Sequence, residues 1–243
     1  MPLFFQKIID ADTRLAIWRI EEEESFFLEK VSLHRTISHP HKRSQHLAGR
    51  YLLSQLFPDF PIALIRIADT LKPYLKDEAY HFSISHCADF AAAIVSKSRR
   101  VGVDVELVSH KVRKVQHKFL SEDEIKLVKQ SEAMVENIPI ITSQNNSCNE
   151  LLTLLWSCKE AVFKWYGLGE IDFREQIVVN RIKQMSEHTY CINICFQKEG
   201  EQQLALHSTF FNHHEHSPNS RLPTPNPELL TLHSPLVLSY VFT

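Results

Sequence analysis

The chain lacks a basic excess, a long apolar run and any paired cysteine motif. Its 27 Lys and Arg stand against 29 Asp and Glu, a formal net charge of −2. That balance argues against binding duplex nucleic acid by bulk electrostatics, which favours basic surfaces. Any anion must be held by a local cluster. No apolar stretch approaches the roughly 18 residues needed to span a membrane, so no membrane association is expected. The five cysteines, Cys87, Cys148, Cys158, Cys191 and Cys195, are odd in number and form no CxxC pair. Leu3, Phe4 and Phe5 are followed at once by polar residues, and the N-terminus does not read as a signal peptide. Reduced thiols in a cytoplasmic protein are the expectation.

What is present suits a sizeable core. The chain has 243 residues, 44% of them hydrophobic, with 15 Phe, 6 Tyr and 3 Trp, enough for one large domain or two of roughly 100–130 residues. Leu15 to Ile20 reads as an early strand. Apolar residues at helical spacing predict a helix over His46–Phe57, stopped by Pro58 and Pro61. His81–Ser85, Phe90–Ser96 and Val101–Leu107 read as three short strands. Ser121 with Glu124 three residues on is a capping-box start. Leu151–Tyr166 predicts a strong helix closed by Gly167. Thr189–Phe196 and Gln202–Phe211 suggest a hairpin around Glu199-Gly200, and Leu236–Phe242 a last strand. Gln130–Asn149 reads as an irregular surface excursion, and residues 212–227 as a Pro- and His-rich loop. There, His213-His214-Glu215-His216 has metal-ligand residue types but reads as a solvated run. The fold class is α+β.

The pentapeptide Gly102-Val103-Asp104-Val105-Glu106 carries two carboxylates two residues apart. On a strand these share one face. They are either both solvated or held together by a proton or cation, Mg²⁺ being the plausible hard ion for oxygen ligands. On the second long helix Glu160 and Lys164 stand at i and i+4, on one face. An exposed ion pair explains that spacing. A third carboxylate for a cation on Asp104 and Glu106, with Lys164 on a bridged phosphate, explains it too.

The first half offers cations and a hydroxyl: Arg50 on the first long helix with Arg43 preceding it, Lys72 before Pro73, and Ser85-His86 at a strand end. Singly each reads as a solvated surface group or a satisfied turn. Together with three acids they describe a site for a polyphosphate such as an adenine nucleotide.

Gly102-Val103-Asp104-Val105-Glu106 followed by Trp156-Ser157-x-Lys159-Glu160-Ala161-x-x-Lys164 resembles the paired signature of the 4′-phosphopantetheinyl transferases. Phe82-Ser83-Ile84-Ser85-His86, Leu71-Lys72-Pro73, Ala48-Gly49-Arg50 and Phe119-Leu120-Ser121-x-x-Glu124 resemble further elements of that family, in its order. The resemblance implies the larger, Sfp-like monomeric branch: two similar α/β subdomains related by a pseudo-two-fold axis, with coenzyme A in the cleft. The boundary would fall near residue 100, with phosphate-binding cations in 1–100 and the acids and catalytic helix in 101–243.

The implied reaction moves 4′-phosphopantetheine from coenzyme A to a serine of an apo acyl or peptidyl carrier protein, releasing 3′,5′-ADP. By the same resemblance Asp104, Glu106 and Glu160 hold Mg²⁺, and Lys164 meets the phosphate under attack. Arg43, Arg50, Lys72, Ser85 and His86 bind coenzyme A. Glu160 is the first choice of base and Glu124 the second. The chain departs from the family in having Leu71 where a Gly is usual before Lys-Pro, and Cys87 where a small hydroxyl residue often follows Ser-His. A Mg²⁺-dependent phosphoesterase and a non-catalytic coenzyme A- or carrier-binding homologue are the competing readings.

Overall fold

The computed structural model describes residues 3–33, 36–133, 147–212 and 234–243. Residues 212–227, apart from Asn212, and the histidine-rich run at 213–216 lie outside the described residues. The protein is a mixed α+β structure with several sheets. It divides into two compact units, one of residues 1–105, 160–170 and 240–243, the other of 106–159 and 171–239. The division passes through two strands and a helix and is not a single point in the chain.

The first unit is built on an antiparallel sheet ordered β1-β2-β6-β5, comprising Leu3–Ile8, Thr13–Arg19, Phe90–Ser96 and His81–Cys87. Strand β6 is buried at all seven positions, as a central strand of small and β-branched residues should be. Helix α2, Pro40–Leu56, packs on it. This helix starts six residues before the predicted His46, because His39 is extended and Pro40 occupies its first turn. A proline's fixed φ and missing N–H suit that position. Gly49 faces β5: a Cβ there would come within 2.6 Å of Ile84 Cγ2. The close approach that a glycine permits is thus made by the sheet, in the core that Leu47, Leu52, Leu53 and Phe82 fill.

Two features of the sequence escaped a period-based reading. Strand β1 is Leu3–Ile8, whose residues are only partly buried or exposed, so its pattern is weak. Before β5, two-residue strands β3 (Arg66–Ile67) and β4 (Pro73–Tyr74) pair with each other. They carry the Lys72 loop.

The second sheet runs β7-β11-β10-β9-β8. Strands β7 (Val101–Leu107), β9 (Thr189–Phe196), β10 (Gln202–Phe211) and β11 (Leu236–Phe242) match the predicted spans, while β8 (Ile177–Ser186) was not anticipated. Tyr190, Ile192, Ile194 and Phe196 on β9, and Leu204, Leu206 and Phe210 on β10, are buried at alternate positions, the period-2 pattern of a sheet covered on one face. The second unit also holds α3 (Lys111–Val115) and α4 (Glu122–Ala133). The expected capping box forms: Glu124 N donates to Ser121 Oγ at 3.2 Å and Ser121 N to Glu124 Oε2 at 2.9 Å.

Helix α5, Ser147–Tyr166, begins four residues before the predicted Leu151. Together with α4's run to Ala133, this makes both ends of the expected Gln130–Asn149 excursion helical; residues 134–146 lie outside the described residues. Cys158 Sγ meets Ser208 Oγ at 3.4 Å, seating the helix on the second sheet. At its other end, Gly167 has φ +75 and its N–H bonds Phe163 O at 2.9 Å, a left-handed C-terminal stop. Gly102 explains how β7 passes this helix: a Cβ there would stand 2.1 Å from Ala161 O and 2.7 Å from Trp165 N. Backbone atoms cannot give way as a side-chain tip can, so only glycine fits. No described helix is long and apolar enough to cross a membrane.

Candidate functional site

Three elements of the first unit bring Ser85, Asp104 and Lys164 together. Ser83 and Ser85 share one face of β5, as residues two apart must. Ser83 Oγ accepts from Val103 N at 3.2 Å, and Ser85 Oγ donates to Asp104 Oδ1 at 2.8 Å. The two hydroxyls stitch β5 to β7. From the last turn of α5, Lys164 Nζ donates to Asp104 Oδ1 at 2.5 Å and to Ser85 Oγ at 2.8 Å. A cation in that turn also sits well with the helix's negative end.

The burial is uneven. The Asp104 side chain is 3% exposed and that of Lys164 25%. Asp104 Oδ2 is buried and has no hydrogen-bond partner among the described residues. That second oxygen is short of a donor, since buried oxygens are ordinarily paired. His86, next along β5, has its pKa pushed below the ordinary value, by desolvation first and then by Lys164 and Lys42. A hydrogen bond to its own backbone and the charge of Asp104 pull the other way.

The expected three-acid cluster is not gathered. Among the described residues no three His, Cys, Asp or Glu side chains converge on a point that would hold a metal ion. Asp104 Oδ1 carries the Lys164 ammonium, and Glu106 Oε1 accepts from Trp156 Nε1 at 3.2 Å. Glu160 is half-buried on α5, one turn before Lys164.

The candidate phosphate-binding cations differ from one another. Lys72 is half-buried, with Nζ 3.4 Å from Trp165 O. Burial, and then the nearby Arg100 charge, lower its pKa to about 8. It lines a cavity of about 210 Å³ that also includes Leu71, Ser83 and Lys164. Arg43 is engaged elsewhere: Nε and Nη2 meet Glu24 at 2.9–3.1 Å, and Nη1 meets the carbonyls of Ile37 and Ser38. Arg50 is 3% exposed, with Nη1 2.5 Å from His46 Nε2, one turn back on α2.

Leu71 takes φ +64, the left-handed region in which glycine is unstrained. The loop therefore keeps the conformation a glycine would favour, and the leucine side chain stands 72% exposed.

Glu124, the second choice of base, is fully employed in the second unit. Besides Ser121 N, its carboxylate accepts from Lys159 Nζ at 2.7 Å and Val179 N at 2.9 Å. Lys159 is completely buried and also donates to Phe173 O at 2.9 Å. The pair ties α4, α5 and β8 to one another. Its role as a brace was missed in the sequence, where Lys159 is one more polar residue beside Glu160. The buried face of α5 on which it falls was the available signal.

Residues 100–224 match the family description "4′-phosphopantetheinyl transferase superfamily", half of the chain. Enterobactin synthase component D of Salmonella typhi is 30% identical over 129 residues, 52% of this chain and 49% of that protein. Its counterpart in Salmonella typhimurium is 27% identical over 129 residues, with the same coverage of both chains. The chain spans about half the length of the curated relatives it matches. The motif-bearing strand β7 and helix α5, with Asp104 and Lys164 brought into contact, both lie within the matched stretch: this chain belongs to the 4′-phosphopantetheinyl transferase superfamily.

Proposed function

We propose that this protein transfers 4′-phosphopantetheine from coenzyme A to a serine hydroxyl of an apo acyl or peptidyl carrier protein, releasing 3′,5′-ADP. We place it in the larger, Sfp-like branch, with its two subdomains related by a pseudo-two-fold axis. The observation that carries the reading is the buried Asp104, one oxygen on Lys164 and Ser85 and the other without a donor. The second oxygen is open to a further cation, and an acidic donor set suits a hard divalent ion. Asp104, Glu106 and Glu160 are the residues that would hold Mg²⁺. When bound, it neutralises charge on the pyrophosphate of coenzyme A.

The chain's own residues then divide the remaining tasks. Lys164, released from Asp104, meets the phosphate under attack and offsets charge developing there. Ser85, His86 and Lys72 donate to the coenzyme's phosphates. With its pKa lowered, His86 does so as a neutral imidazole through one N–H. Glu160 takes the proton of the carrier serine. Glu124 is passed over for that role because it is buried and both its oxygens are already engaged by Lys159, Ser121 and Val179. Arg43 and Arg50 would have to leave Glu24 and His46 to reach a phosphate. They are assigned to holding α1 (Glu24–Leu28) and α2 in place.

The test is direct. Incubation with coenzyme A, Mg²⁺ and an apo carrier protein adds about 340 Da to the carrier, the mass of the phosphoryl-linked group transferred. No mass change across fatty-acid, polyketide and nonribosomal-peptide carriers, alongside measurable phosphodiester hydrolysis, would replace this reading with a phosphoesterase.

A further inference from the structure

Strand β5 ends one residue past His86, and the chain turns back into β6 through Ala88 and Asp89 alone, with Cys87 paired to Phe90. Two-residue hairpin loops bend with φ above zero at one or both residues, which is why glycine, asparagine and aspartate fill them. Here the position falls to an alanine: Ala88 has φ +47. A glycine takes that conformation unaided. An alanine takes it against the crowding of its Cβ on the backbone, and keeps it only where the surroundings hold it.

Neighbouring elements grip this turn. Ile20 N, just past β2, donates to Asp89 O at 2.7 Å. From α2, His41 Nε2 meets Asp89 Oδ1 at 2.9 Å and Gln45 Nε2 donates to Ala88 O at 2.7 Å. His41 and Gln45 stand at i and i+4, on one face of the helix. Their weights differ. The His41 and Asp89 side chains are 44% and 60% exposed, and an exposed pair contributes little. Gln45 is buried, and burial makes its amide depend on a protein partner. Its bond is also the one that lands on the strained residue itself.

His86 lies two residues before Ala88 and Ser85 three. Strand β5 is the edge strand of its sheet, with β6 its neighbour there, so within the sheet its end is held from one side and by the turn. Ser85 Oγ, 2.8 Å from both Asp104 Oδ1 and Lys164 Nζ, stands or shifts with that end. So does the His86 imidazole, which feels the charges of Lys164, Asp104 and Lys42.

We propose that Gln45 is a positioning residue of the candidate site: its buried amide fixes the Ala88 turn and, through it, the places of Ser85 and His86 at the end of β5. The effect on coenzyme A rests on the transferase reading, which gives Ser85 and His86 to the coenzyme's phosphates. The effect on the strand end does not.

Gln45→Met keeps the length of the side chain and removes its donor, and circular dichroism checks that the fold is kept. In ¹⁵N-labelled full chain the variant moves the amide signals of Ser85 and His86, and the amide–Hα coupling of Ala88 shows that its φ has left the positive region. With coenzyme A, Mg²⁺ and an apo carrier protein, KM for coenzyme A rises about tenfold and kcat stays within about twofold, the pattern of lost ground-state binding. Adding Ala88→Gly, which takes the positive φ without help, returns the signals and brings KM to within about twofold of the parent. A glutamine that only packed α2 would not be rescued from the turn. Unmoved Ser85 and His86 signals in Gln45→Met overturn the proposal, as do a displacement that Ala88→Gly fails to reverse and an unchanged KM in an active chain. If Gln45→Met by itself loses the fold, the double variant decides: folded with the parent's KM it supports the proposal, and unfolded it overturns it. A parent chain that modifies no carrier removes the transferase reading instead, and the amide signals still decide whether Gln45 places the end of β5.

Discussion

Lys164 Nζ lies 2.5 Å from Asp104 Oδ1, so the cation that neutralises this buried carboxylate is one the chain supplies itself. An incoming divalent ion must take the place of that ammonium. Lys164→Met therefore tightens Mn²⁺ or Mg²⁺ binding to the protein alone by about tenfold, while Asp104→Asn abolishes it. Without the metal the same variant leaves Asp104 unpaired, a loss on the order of 3–5 kcal/mol for a buried pair and less here because Lys164 is partly exposed. Thermal denaturation with and without Mg²⁺ reads both effects. An ion that binds no more tightly to Lys164→Met than to the parent chain would show that the two cations do not compete.

The Lys159–Glu124 pair is buried on both sides, at 0% and 4% exposure. Lys159→Met leaves Glu124 with two backbone N–H donors and an uncompensated charge, and unfolding by urea shows a loss of about 3–5 kcal/mol. Adding Glu124→Gln recovers part of it, since the charge that lost its partner is gone. If the double variant is as unstable as the sum of the single ones, the two side chains are not coupled.

Leu71 holds a left-handed backbone with its side chain in solvent. That conformation costs an L-residue roughly 1–2 kcal/mol, and glycine's extra chain entropy returns about 0.5–1 of it. Leu71→Gly raises stability by the difference, about 0.5–1 kcal/mol, measured as a higher melting temperature. A lower one would mean that the leucine makes contacts outweighing the strain.

Glu150, 2% exposed with Oε2 unpartnered, has its pKa pushed up by burial to about 7. The folded chain then holds a proton that the unfolded chain, titrating near 4.5, gives up. Stability falls as pH rises from about 4.5 to 7, and above that range the deficit is fully developed, up to about 3 kcal/mol. Glu150→Gln removes it. The variant gains over the parent at pH 8 and does not at pH 4.5, as chemical denaturation at the two values would show. A gain of equal size at both would assign the effect to something other than titration.

Much of this was legible in the residue order. Strands β9 and β10 follow from alternating apolar residues, strands β6, β7 and β11 from short apolar runs bounded by polar breaks, and the stop at Gly167 from its place after an apolar helix. The start of α2 was not legible, because His39 to Arg43 carry no apolar period and the helix there rests on Pro40. Strands β1 and β8 were missed because neither buries one face consistently. At the site, Asp104, Ser85 and Lys164 stood out as residue types. That the three meet, and that Arg43 already holds Glu24, depends on partners 19 to 79 positions away in the chain.

The sequence by itself determined which strands alternate, where α5 stops and which motif residues the chain offers, because periodicity, capping and spacing act between near neighbours. Only the tertiary structure decided how those residues are used. Two serines on β5 reach β7, a glycine at 102 admits the α5 backbone, and a lysine on α5 lands on Asp104. Burial sets which charges must find partners, and burial exists only once distant segments have packed.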